Sequence, residues 1–226
     1  MTGLVRDIRL HIYEQMIETS AAPSAADVAR ALAIDAADVE AAFLALAEAR
    51  MLVLRPGTTT IWMAMPFSNV QTPFTVISGG RAYYANCASD AFGVAAVMGA
   101  DPRRTDARIF TTCPDCGGAL ERKIAGGVLA ETRGLVHFSL PVRRWWDDIG
   151  HTCASTLLFG DEDHLDRWCA RHRVARGETV ALEQMWILAR QWYEHRLDHA
   201  WQRPSTRTAA DAFSAAGLTG PFWELA

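Results

Sequence analysis

The sequence predicts an α+β fold, with a winged-helix-like region over residues 1–66 and a larger mixed region of antiparallel strands and helices over residues 67–226. Three observations predict it. Apolar residues recur at helical spacing near the start, in segments preceded by capping residues. Short extended runs bounded by proline and glycine turns come after them. Half of the 226 residues are hydrophobic, enough to bury a sizeable core in one large domain or two small ones.

In the first region, Leu4, Ile8, Ile12 and Met16 fall four apart and predict an amphipathic helix to about Glu18. Ser24 is placed to cap a short helix through Leu32, and Asp35 to cap a longer one running to about Arg50. Two extended runs, Met51 to Leu54 and Thr60 to Met65, flank a turn at Arg55-Pro56-Gly57. Three helices and a hairpin in this order are the pattern of a winged helix-turn-helix. The helix that would enter a major groove carries Asp38, Glu40 and Glu48, with Arg50 its only basic residue. Such a surface repels a polyanion, and the net charge of −4 points the same way. Nucleic acid is therefore not an expected partner; a structural or dimerising role is.

Pro66 and the polar stretch Ser68 to Pro73 read as a link. Phe74 and Val76, then Tyr83 and Ala85, predict two strands around Ser78-Gly79-Gly80. The second strand runs into Asn86 and Cys87. Ala88 to Met98, rich in alanine with Phe92, Val94 and Val97, predicts a buried helix opened by Asn86 or a close neighbour, with Cys87 in its first turn. Glu121 to Phe138 reads as hairpin material around Gly126-Gly127, and Leu157-Leu158-Phe159 as an interior strand. Glu162 to Arg171, with Leu165, Trp168 and Cys169, predicts a helix whose charged end, Arg171-His172-Arg173, is solvated. Beyond it a helix-rich tail carries Trp186, Trp192, Trp201 and Trp223, expected to pack against the rest.

Five cysteines at irregular spacing, behind a start with no signal-peptide core, imply reduced thiols rather than a disulfide framework. No apolar run approaches a bilayer span, so a cytoplasmic protein without a membrane partner is expected.

Reduced thiols bind metal or react, and two of them sit in suggestive places. A thiol at a helix start feels the positive end of the dipole, which favours thiolate at Cys87. Asp90, three residues on, shares that face. The same spacing also describes a buried cysteine beside a capping aspartate. Cys153 shifts the balance, because it stands in His151-Thr152-Cys153-Ala154-Ser155 just ahead of the apolar strand and the helix with Trp168. With Asn86-Cys87-Ala88-Ser89-Asp90 at a helix start, a winged-helix-like region upstream, and this second cysteine, the chain resembles the organomercurial (alkylmercury) lyase family, from the first helix to about Trp168.

The resemblance implies a detoxifying enzyme that cleaves a carbon–mercury bond by protonolysis, with Cys87 and Cys153 as metal ligands and Asp90, beside the metal, as the group that moves the proton. Mercury(II) is a soft d10 ion that favours two thiolates, and the departing carbon needs a proton. No cofactor is implied. The mercury(II) product would rest on the two sulfurs, and small thiols or a mercury reductase would accept it. One departure is Ala154, where members of the family can carry a second cysteine; it bears on release of the metal more than on cleavage. A non-catalytic metal-binding or metal-sensing protein, and a lyase acting on another carbon–heteroatom bond, are the alternatives.

Cys113-Pro114-Asp115-Cys116-Gly117-Gly118 is half of a zinc knuckle. There is no second Cys-x-x-Cys, and only tertiary contact with Cys169 or His137 would complete a site. A turn with two auxiliary thiols is the expectation. His151, two residues before Cys153, would share a face with it in an extended chain, either tuning the thiolate or serving as a hydrogen-bonded strand residue. Trp145 and Trp146 would wall an apolar pocket, although neighbours on a strand point to opposite faces and leave at least one for the core.

Overall fold

The computed structural model describes residues 2–225, so Met1 and Ala226, at the outer bounds of the two predicted regions, lie outside it. Three helices come first: α1 (Gly3–Thr19), α2 (Ala25–Leu32) and α3 (Ala36–Glu48). Ser24 and Asp27 form a reciprocal capping box at α2, as serine before an acidic third residue favours. Asp35 occupies the cap position of α3, but its side chain makes no capping hydrogen bond. The α1 stripe of Ile8, Ile12 and Met16 is buried, and Leu4, the fourth member, is exposed.

Strands β1 (Val53–Leu54) and β2 (Ile61–Ala64) form the expected hairpin, but the segment after Pro66 is more than a link. Phe67–Ser68 is a strand, β3, paired with β2 on one side and with β5 (Arg81–Ala85) on the other. Strands β4 (Phe74–Ser78), β6 (Ala107–Thr112), β7 (Ala119–Ala125) and β8 (Val128–Leu129) complete one antiparallel sheet in the order β1-β2-β3-β5-β4-β6-β7-β8. Phe67 is fully buried and stacks edge-on against Tyr13 and Tyr83, which is why this short segment pairs rather than loops.

Helix α4 (Ala88–Gly99) lies across the sheet, and all but its last residue are buried. A second antiparallel sheet, β10-β9-β11, is formed by β9 (Leu135–Phe138), β10 (Leu157–Phe159) and β11 (Glu178–Ala181). The hairpin predicted over residues 121–138 thus closes only as far as β8, and β9 leaves for this second sheet. Helices α5 (Ile149–Ser155), α6 (Glu162–His172), α7 (Leu182–Tyr193) and α8 (Thr206–Ala215) complete the chain. One continuous core joins α1 to α4, the β-hairpin, α7 and the aromatic tail, and a small separate cluster holds Cys113, Leu135, Phe159, Leu165 and Cys169. Among the described residues no helix is long and apolar enough to cross a membrane.

Candidate active site

Cys87 is the N-cap of α4 rather than a member of its first turn, and its Sγ accepts the backbone N–H of Asp90 at 3.4 Å. A backbone hydrogen bond from Ala88 N–H to Thr156 C=O, 3.1 Å long, ties the start of α4 to the end of α5. Cys153 lies on α5, and the donor atoms of Cys87, Asp90 and Cys153 all fall within 4.8 Å of one another. All three residues are buried, at 5, 4 and 6 % exposure. The predicted trio is therefore assembled from two helix ends brought together by the backbone.

Burial biases the protonation of Cys87 and Asp90. Removal from water pushes the Cys87 thiol well above its ordinary range, and the neighbouring Cys153 and Asp90 push the same way; the Asp90 N–H, which favours thiolate, does not offset them. The thiolate expected from the helix dipole is thus overruled, and the resting residue is a thiol. Burial also raises Asp90, against hydrogen bonds that favour its carboxylate. Tyr193 donates from its hydroxyl to Asp90 Oδ1 at 2.7 Å, and Asn86 Nδ2 donates to Oδ2 at 3.0 Å. Tyr193 is itself held far above the phenol range, first by burial and then by the Asp90 charge, so it stays a neutral donor.

Tyr193 belongs to the tail that no sequence motif marked. It reaches Asp90 because α7 packs directly on α4 at Gly93, one turn beyond the aspartate. A Cβ there would stand 2.6 Å from the Tyr193 ring and 2.9 Å from Pro66. Arg196, just past α7, donates from Nε and Nη2 to the Met65 carbonyl and lies 5.3 Å from the Tyr193 ring centre. Its charge adds to the forces that lower Asp90.

The trio opens onto a cavity of about 460 Å³. Trp145 and Trp146 both line it, as do Trp192 and Trp201, with Arg50 and Arg203 beside Trp146. The opposite-faces expectation for Trp145 and Trp146 fails because they occupy a turn after a short 3-10 segment, Val142–Arg144, and not a strand. Trp145 stacks on Phe138 at 5.4 Å and meets Trp192, Phe213 and Trp223 edge-on, so of the tail tryptophans Trp192 and Trp201 form a pocket wall while Trp186 and Trp223 are core. His151 does not share a face with Cys153: both lie on α5, where a two-residue step turns the side chain away, and His151 is exposed.

Helix α5 is also seated by the first region. A Cβ on Gly150 would come 2.7 Å from the ring of Trp62 on β2, so the hairpin packs flush against the helix that carries Cys153.

Cys113 and Cys116 are not part of this centre; they sit in the β6–β7 turn beside His164. Neither partner foreseen for them is the one that arrives. The His137 ring pairs through Nε2 with the Arg176 carbonyl at 2.5 Å, and Cys169 is not within the 4.8 Å donor set.

The family model for alkylmercury lyase matches residues 67–194, from β3 to just past Tyr193. A solved structure described as the mercury-bound form of MerB2 shares the fold, with a TM-score of 0.63, 21% identity, and coverage of 84% of this chain and 91% of that one. No curated protein matches. The matched span contains both cysteines, the aspartate and the tyrosine that holds it, and the chain belongs to the alkylmercury lyase family, enzymes that cleave carbon–mercury bonds.

Proposed function

We propose that this chain cleaves organomercurials by protonolysis, with Cys87 and Cys153 as the mercury ligands and Asp90 as the proton carrier. One observation carries the reading: two thiols and a carboxyl group with donor atoms within 4.8 Å, buried together at the base of a cavity. Such a trio matches a soft, two-coordinate cation that arrives attached to carbon.

The stoichiometry closes on these residues. An organomercury thiolate reacts with two protein thiols to give the hydrocarbon, mercury(II) on two sulfurs, and one free thiol. Exchange at the first sulfur sends one proton out with the displaced thiol. The proton of the second thiol passes to Asp90 and from there to the carbon, as the sulfur–mercury bond forms and the carbon–mercury bond breaks. Asp90 acts as base and then as acid, and a carboxyl group raised by burial is suited to giving its proton back. Binding of mercury supplies the drive to deprotonate the Cys87 thiol that burial otherwise keeps neutral. The tryptophan-lined wall accepts the apolar organic group.

Small thiols or a mercury reductase would accept the mercury(II) product. Five free cysteines fit a reducing cytoplasm and a role in organomercurial detoxification. The winged-helix reading of α1 to β2 draws support from the order of three helices and a hairpin, and the division proposed at residue 66 falls between β2 and β3, within one continuous sheet. Its acidic α3 gives that region a structural part here, which is to seat α5 and close the cavity through Arg50 and Met65.

Purified protein with excess thiol is expected to release benzene from phenylmercury, and Asp90→Ala to bind mercury while cleavage falls by roughly 10² to 10⁴-fold. Mercury bound by the wild-type chain with no hydrocarbon released would sink the reading and leave a binding protein.

A further inference from the structure

Away from the cavity the chain assembles a second set of metal-type donors. The six residues 113–118 between β6 and β7 fold as a knuckle: Gly117 N–H donates to the Cys113 carbonyl at 2.8 Å, Cys113 N–H to the Gly118 carbonyl at 2.8 Å, and Gly118 N–H to Cys116 Sγ at 3.4 Å. Gly117 holds a positive φ of 71°, which lets the chain turn back so that both sulfurs face one way.

Helix α6 brings the third donor. His164, Arg167 and Arg171 succeed one another at helical spacing and face the knuckle. The two arginines grip Asp115, whose side chain is only 5 % exposed, at 3.0 and 2.8 Å, and Arg171 also donates to the Asp115 carbonyl. This clamp fixes α6 against the knuckle and places a ring nitrogen of His164 within 4.8 Å of both sulfurs. Asp161 Oδ1 lies 2.7 Å from His164 Nδ1, which leaves Nε2 free and sets the ring as a carboxylate sets a metal-binding histidine.

We propose that Cys113, Cys116 and His164 form a second metal site, distinct from the mercury centre, that holds a divalent cation of the zinc type and staples the β6–β7 knuckle to α6. Two thiolates and an imidazole suit a borderline-soft d10 ion, whose tetrahedral preference leaves one position for water at this exposed edge. The cation takes both sulfurs as thiolates and balances their negative charge. The site needs no part of the cavity, and its presence does not depend on the lyase reading.

The test is zinc retention by the full chain, dialysed against metal-free buffer after loading with zinc alone. About one equivalent is expected to remain, and to remain also in the Cys87→Ser/Cys153→Ser double variant. In Cys116→Ser, which alters an exposed sulfur, affinity should fall, and Asp161→Asn, which can still cap α6, should weaken zinc by about 10- to 100-fold. Cobalt(II) in place of zinc should give a thiolate charge-transfer absorption that is reduced in Cys116→Ser. Zinc retained undiminished in a Cys116→Ser/His164→Gln variant, or lost with Cys87 and Cys153 instead, overturns the proposal. So does a wild-type chain that retains none.

Discussion

The two sulfur clusters of this molecule use nearly the same donors in opposite surroundings. Cys87, Asp90 and Cys153 are buried at the base of a cavity, and their acid is held by neutral donors, a phenol and an amide. Cys113, Cys116 and His164 lie at an edge, with Cys116 exposed, and their neighbouring acid is held by two arginines. Burial raises both Cys87 and Asp90, which favours their protonated forms, as the proposed proton relay requires. The second cluster has no buried acid among its donors to return a proton, and the role proposed for it is only to hold a cation. The difference teaches that thiol count says little about chemistry; the setting of the nearest carboxyl group says more.

The largest expected effect comes from removing one soft donor. Cys153→Ser should lower the rate of hydrocarbon release by at least roughly 10³-fold, about 4 kcal/mol in barrier, read in a single-turnover assay. A variant that kept its rate would erase the contrast between the clusters. Next is accessibility: in the metal-free native chain, iodoacetamide should modify Cys116 at least about tenfold faster than Cys87, since attack needs an exposed thiolate. Mass mapping of the modified peptides reads this order, and equal rates would refute the buried site.

Gly93→Ala tests whether the close approach of α7 matters. The added methyl group must displace Tyr193 or Pro66, at a cost of about 1–3 kcal/mol, and turnover should fall roughly tenfold as the tyrosine leaves Asp90. Thermal unfolding and kcat measured together separate the two consequences. The smallest effect is expected from Tyr193→Phe. Its hydrogen bond favours the Asp90 carboxylate, so its loss raises the Asp90 pKa further. Asp90 must be ionised to take the thiol proton, and activity falls as pH drops through that pKa. The acid limb of the pH–rate profile should therefore move upward. A limb that stays put would assign it to another group.

Much of this was legible in the sequence where the signals are local. Ser24 with Asp27, the stripe on α1 and the run from Ala85 to Asp90 each encode their element within a few residues. The trio itself was legible because the resemblance joined Cys153 to the other two. The misreadings have a common cause in tertiary contact. Phe67 makes a strand of an expected link because Tyr13 and Tyr83 await it. The segment with Trp145, Trp146 and His151 reads as extended or undecided, and becomes turn and helix only when Asp148 caps α5 through the His151 N–H. Tyr193 and His164 carried no motif, since each acquires a partner from a distant element. Gly93, a glycine inside an apolar helix, was the one sequence trace of the α4–α7 contact.

The bond from Ala88 to Thr156 has a further consequence. It holds two distant stretches of chain side by side before any mercury arrives, so a mercury(II) ion bridging Cys87 and Cys153 would close a long covalent loop at no cost in rearrangement. Such a bridge disfavours the unfolded chain much as a disulfide does, by roughly 4 kcal/mol for a loop of this length. The product complex would then be the form most resistant to heat. Its release would depend on competing thiols reaching the cavity and not on the chain opening.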